Sequence, residues 1–256
     1  MIELRATGLS VESDGHVLVD HADISVAPGE LVVLLGPNGA GKTSLLRALV
    51  GLQRPYAGEA LLDGRASVGW PAMERARKLA YLPQSRPLAW PTRVRDVVAL
   101  GRFAHGAATG RLRGADRDAV EHAIAICAIT DLADRSCDTL SGGELARVHI
   151  ARAFAAQTPL LVADEPIAAL DPRHQIGIMN LIADYVAKGG GALVVLHDLG
   201  MAARYADRLV WMKQARIIAQ GSVGDTMTAD MLASVYGVVG TVDNGAVTIQ
   251  DLTHSP

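Results

Sequence analysis

The stretch LVVLLGPNGAGKTSLLRALVGL, residues 31–52, restricts the possible folds more than any other part of the chain. Its five leading aliphatic residues have the length and texture of a strand buried on both faces, as in a parallel sheet. A Gly-rich turn follows, then a run with helical character. Residues 36–43 fit G-x-x-x-x-G-K-[ST] after a strand and before a helix, the context in which that pattern has a mechanical meaning. Glycines let backbone N–H groups turn in on phosphate oxygens, and the helix presents its positive end to them. Gly36, Pro37, Asn38, Gly39, Ala40, Gly41, Lys42, Thr43 and Ser44 are therefore expected to cradle a nucleotide. Lys42 is expected to reach the β- and γ-phosphates, and the Thr43 hydroxyl to ligate Mg²⁺.

The same strand texture returns in PLLVADEP (159–166) and GALVVLHD (191–198), with helical patterns between, notably over 173–189. Alternating strand and helix gives an α/β class with a mostly parallel core. From about 87 to 157 the strand pattern fades and helical ones take over, as expected of an inserted helical subdomain between core segments 1–86 and 158–224. Within it, FAHGAATGRLRGAD (103–116) reads as an exposed loop. The nucleotide-binding domain is placed at 1–238, and 225–256 reads as a short tail of one helix, TADMLASVYG, and one strand, GAVTIQDL.

A formal net charge of −3 without a Lys/Arg run offers no footprint for nucleic acid or an anionic membrane surface. Cys127 and Cys137, the two cysteines, read as reduced structural thiols. Glu3 and Arg5 interrupt the first ten residues, so no signal peptide is expected. No apolar stretch approaches the roughly 18 residues of a membrane-spanning helix. Action at a membrane would need another chain to do the spanning.

LLVADEP ends in adjacent acids, Asp164 and Glu165. Neighbours along a strand point opposite ways, so the two should do different jobs, one at the magnesium shell and one at the γ-phosphate and its water. The competing reading is an acidic turn that caps the next helix. His197 ends a third buried-looking strand, and in open parallel sheets ligands gather at the strands' carboxyl ends.

A second Gly-rich turn remains: LSGGELARVHIARA, residues 140–153. Ser141, Gly142 and Gly143 open a helix, so they too suit a phosphate, and Leu145, Val148, Ala151 and Ala155 would anchor that helix along one face. With GPNGAGKT, YLPQ (81–84), LSGGE, LLVADEP, AALD (168–171) and VLHD (195–198) in this order, the chain resembles an ABC-transporter ATP-binding subunit over essentially its whole length. The resemblance implies a P-loop (RecA-like) core, an inserted helical subdomain and a small antiparallel β part near the N-terminus. It implies ATP and Mg²⁺ as ligands and a head-to-tail homodimer, in which the LSGGE of one copy closes over ATP held by the other. Glu165 then resembles the general base, and Asp164 the residue that holds Mg²⁺ through its waters. Gln84 resembles the glutamine on Mg²⁺ and the attacking water, and His197 the γ-phosphate histidine. Asp171 resembles the loop aspartate that crosses the interface. Gly143→Asp is expected to abolish hydrolysis and leave nucleotide binding intact. No aromatic precedes the P-loop over 12–18 for adenine to stack on, and His16 is the only ring there.

Softer motifs at 94–102, 170–182, 195–210 and 219–238 resemble ATPases of importers for iron–siderophores, haem and cobalamin. That implies a separate membrane permease, docked over about 84–101, an external substrate-binding protein acting through it, and a place on the cytoplasmic face of the inner membrane. Trp90, between prolines, is either part of that contact or a core residue. The alternative is a soluble ABC ATPase acting on nucleic acid or ribosomes. A single ATPase unit with no heptad run, CxxC or basic stripe argues against it.

Overall fold

A computed structural model describes residues 2–84, 91–107, 112–243 and 246–252. Trp90 lies outside the described residues. The chain forms two compact units, Met1–Gly69 with Gly191–Pro256, and Trp70–Gly190.

In the first unit the strand Leu31–Leu35 is buried at every position and lies between two parallel neighbours. Gly191–Val195 pairs on one side, Leu31 with Ala192 through Leu34 with Val195. Arg208–Lys213 pairs on the other, Val32 with Arg208 through Leu35 with Trp211, and carries Arg216–Gly221 antiparallel beyond it. Continuous Val/Leu runs suit this position because both faces are covered. A separate antiparallel sheet runs His16–Val26, Leu4–Ser13, Ala57–Leu62 and Arg65–Ala66, in line with the antiparallel part expected near the N-terminus. The tail holds the helix Ala229–Tyr236 and a hairpin of Val238–Asp243 with Ala246–Leu252, one strand more than its sequence suggested. VVGTVD has a glycine at its centre and a weak alternation, which hides that strand from pattern reading.

In the second unit Leu79–Leu82 pairs parallel with Leu160–Asp164. The unit contains the 87–157 segment, with helices Val94–Ala99, Gly114–Ile126 and Gly142–Ala155, and also the later helix Pro172–Ala187. Val148, Ala151 and Ala155 are fully buried, so the second Gly-rich turn is anchored through its helix. Of the stretch expected to be a loop, 103–116, residues 108–111 lie outside the described residues; its start belongs to a 3₁₀ helix, Leu100–His105, and its end to a helix that starts at Gly114. The cause is tertiary. Arg102 is buried and bonds Asp116 at 2.9 Å and the Ala155 carbonyl at 2.9 Å, while the His105 ring meets the Ala156 carbonyl at 3.0 Å. The Ala155 and Ala156 carbonyls lie 53 and 51 residues along the chain from their partners and leave no local signature.

Candidate active site

The first unit supplies the phosphate loop. Between Leu35 and the helix Lys42–Leu49 the backbone is left-handed at Gly36 (φ 153°) and Gly41 (φ 99°). A Cβ at Gly36 would lie 2.1 Å from the Met212 carbonyl oxygen, and one at Gly41 would lie 2.0 Å from that of Leu18. Only glycine satisfies both the dihedral and the space. Gly41, at the N-cap, has no side chain to close the first turn, which leaves the helix's positive end to an anion. Lys42 is buried, and its Nζ donates to the carbonyls of Gly36 at 2.7 Å and Pro37 at 2.9 Å, which holds the ammonium over the loop. Thr43 is exposed at the second helical position.

His197 reaches the same edge of the sheet through strand register. Leu34 faces Val195 in the parallel pair, and the Leu196 N–H donates to the Leu34 carbonyl at 3.3 Å. The two strands therefore end together, one at Gly36 and the other at His197, which is exposed. Asp198 caps the following helix, accepting from the Met201 N–H at 2.8 Å. His16 is exposed at the start of its strand.

The second unit supplies the acids. Asp164 ends its strand fully buried. Glu165 stands outside the strand, with a left-handed backbone at φ 49° and a half-buried side chain. The two acids thus part company because the backbone turns, not because a strand alternates. A non-glycine residue held in this region is strained, and such strain gathers at functional sites. The Gln84 amide Nε2 donates to Glu165 Oε2 at 2.8 Å, joining two of the expected site residues across 81 positions of sequence.

The second Gly-rich turn is also here. Ser141 is the N-cap of Gly142–Ala155 and forms a capping box with Glu144. The Ser141 hydroxyl donates to Glu144 Oε2 at 2.8 Å and accepts from the Glu144 N–H at 3.3 Å. Glu144 Oε2 also accepts from the Ser141 N–H at 2.8 Å. These bonds hold the Glu144 carboxyl below the usual carboxylate range. They leave the amides of Gly142 and Gly143 for an outside acceptor. A Cβ at Gly142 would meet nothing within 4 Å, whereas one at Gly143 would lie 2.3 Å from His174 Cδ2. Gly143→Asp would therefore disturb the chain itself, and Gly142 is the cleaner position at which to test this turn.

Asp171 is exposed and caps Pro172–Ala187, with Oδ1 accepting from the His174 N–H at 3.1 Å and Oδ2 from His174 Nδ1 at 2.6 Å. Ala169, just before it, is left-handed at φ 59°. Sequence reading singled out neither Glu144 nor His174. The S-x-x-E spacing of a capping box would have found Glu144. His174 had no comparable signal.

Fold and motifs together define a P-loop ATPase that carries a second phosphate-type turn. A family model described as ABC transporter matches residues 19–168. The chain belongs to that family, as an ATP-binding and ATP-hydrolysing subunit. A hemin import ATP-binding protein of Nocardia farcinica is 45% identical over 240 residues, 92% of this chain and 83% of that protein. One of Pseudomonas entomophila is 41% identical, covering 92% of each. Among solved structures, the ATP-binding subunit of an ABC transporter is 26% identical with a TM-score of 0.77, over 87% of this chain and 91% of that one.

Proposed function

We propose that the chain is the ATP-hydrolysing subunit of an ABC importer for haem, working with a separate membrane permease. The observation that carries this reading is the likeness to hemin import ATP-binding proteins over 92% of the chain at 41–45% identity. Haem thereby stands ahead of siderophores and cobalamin.

In this reading Lys42 and the amides of residues 36–44 hold the phosphates of ATP, and His197 contacts the γ-phosphate. Glu165 polarises the attacking water, and its hydrogen bond from Gln84 fixes the orientation of that carboxylate. Positioning and charge placement, not covalent chemistry, supply the catalysis. Thr43 and Gln84 would hold Mg²⁺ through their oxygens, and Asp164 would hold it through its waters. Such a small donor set suits an ion that keeps waters and shares the substrate's phosphates. Bound Mg²⁺ would neutralise charge that develops on the phosphates. Ser141, Gly142, Gly143 and Asp171 serve the ATP of a second copy.

Among the described residues no helix is long and apolar enough to cross a membrane. Attachment to a permease at the cytoplasmic face supplies the location, and an external haem-binding protein would act through that permease. An apolar cavity of about 400 Å³ in the second unit, lined by Met73, Leu79, Leu100, Gly101 and Phe103 among others, supports a docking surface. Phe103 is 63% exposed and Leu100 46%, and both line this cavity. Part of the docking stretch expected from sequence, 85–90, lies outside the described residues.

The test captures Glu165→Gln with ATP and magnesium from solubilised source membranes. Recovery of a multi-span permease, and ATP-dependent haem uptake when parent chain and permease are reconstituted in vesicles, are expected. Recovery of ribosomes or nucleic acid without a permease would contradict the importer.

A further inference from the structure

One imidazole lies between the two segments that the proposed dimer sends to its partner. His174 Nδ1 sits 2.6 Å from Asp171 Oδ2, so that nitrogen carries the proton and donates it. The other Asp171 oxygen accepts from the His174 backbone N–H, so residue 174 grips both carboxylate oxygens. This pair of bonds, the ring's foremost, holds the Asp171 carboxyl below the usual carboxylate range. The opposite side of the same ring lies against Gly143: a Cβ built there would meet Cδ2 at 2.3 Å, Cγ at 2.5 Å and Nε2 at 2.6 Å. The ring is largely covered, with 29% of the side chain exposed, although it sits beside exposed Asp171. Gly143 therefore has no Cβ because an imidazole takes that room.

We propose that His174 is a positioning residue that ties the Asp171 loop to the Ser141–Gly143 turn, so that both engage the partner's nucleotide as one rigid piece. It touches no ATP itself. This rests on the two-subunit reading above. An exposed loop with a left-handed Ala169 and a helix N-terminus held by its own capping box would otherwise adjust independently. Closure would then have to order each of them separately, and pre-organisation removes that cost.

The experiment compares His174→Ala, His174→Phe and His174→Gln in the full-length chain. Each keeps the backbone N–H that caps the helix. The phenyl ring keeps the packing on Gly143 without the bond to Asp171, and the glutamine keeps a donor without the flat ring. With His174→Ala, kcat should fall roughly tenfold, the equivalent of about 1.4 kcal/mol, while ATP affinity of the isolated chain and its melting temperature stay at parent values. Phe and Gln should each recover part of the rate. In a double-mutant cycle, His174→Phe with Asp171→Ala should cost no more than Asp171→Ala alone, because the alanine already removes the bond. A parental kcat in His174→Ala or His174→Phe, or strictly additive losses in the cycle, would overturn the tie. Gly142→Asp is run beside them. If it retains hydrolysis, the two-subunit reading has failed, whatever His174 does. If it loses hydrolysis while His174→Ala does not, the tie alone has failed.

Discussion

Gln84 and Glu165, 81 residues apart, are joined by a 2.8 Å hydrogen bond from the glutamine amide to one carboxylate oxygen. The base proposed at Glu165 must present one defined oxygen to its water, and this bond fixes which one is held. Gln84→Ala should lower kcat by about 10²–10³, the usual loss for one preorganised polar contact, with ATP affinity retained. Gln84→Glu should do more. A second carboxylate would repel the Glu165 oxygen that the glutamine amide now holds. ATPase rates and ATP affinities of the parent and both variants check these outcomes.

Lys42 holds its ammonium on the Gly36 and Pro37 carbonyls, where the proposed reading puts the phosphates of ATP. Lys42→Met removes a charge-assisted donor worth about 1.5–3 kcal/mol. Nucleotide titration should show ATP affinity down by at least roughly tenfold. This is the reverse of the pattern expected for Gln84.

Cys127 and Cys137 are free and buried. Burial pushes the Cys127 thiol from 9.0 to about 12. In the unfolded chain the thiol ionises near its ordinary value, whereas the folded chain keeps the proton until about 12. The raised native value means that stability is intact below 9.0 and is lost as pH climbs towards about 12, by at most about 1.4 kcal/mol per pH unit. Urea unfolding at several alkaline pH values should show the parent losing stability faster than Cys127→Ala. Native protein should also resist thiol reagents that label the unfolded chain.

Phe103 and Leu100 are exposed beside the apolar cavity of the second unit. Phe103→Ser should change stability by no more than about 0.5 kcal/mol and leave the isolated subunit's ATPase rate alone. It should weaken stimulation by permease-containing vesicles. Equal stimulation of parent and variant would remove this face from the docking surface.

Much of the fold was legible because parallel strands advertise themselves. LVVLL, LLVAD and GALVV are buried at every position, and such runs need no knowledge of their neighbours. The phosphate loop was legible for a related reason: Gly36 and Gly41 are required by local dihedrals and close backbone approach. What stayed hidden depends on distant partners or on backbone strain. The turn at Glu165, φ 49°, separates the two acids by a route that strand alternation does not describe. Arg102 orders the 3₁₀ segment Leu100–His105 through Asp116 and Ala155, and His174 acquires its place only where Asp171 and Gly143 both reach it.

If the Ser141–Gly143 turn serves a second copy's ATP, as proposed, a charge at Gly142 should block pairing of the two copies. The Cβ direction of Gly142 is open, and an acid in a helix's first turn favours the helix, so Gly142→Asp should fold normally. In a Glu165→Gln background the decisive measurement is ATP-driven dimerisation by sedimentation, alongside ATP affinity. The account predicts dimers for Glu165→Gln alone, and monomers with unchanged ATP affinity once Gly142→Asp is added. Equal dimerisation of the two proteins would contradict it.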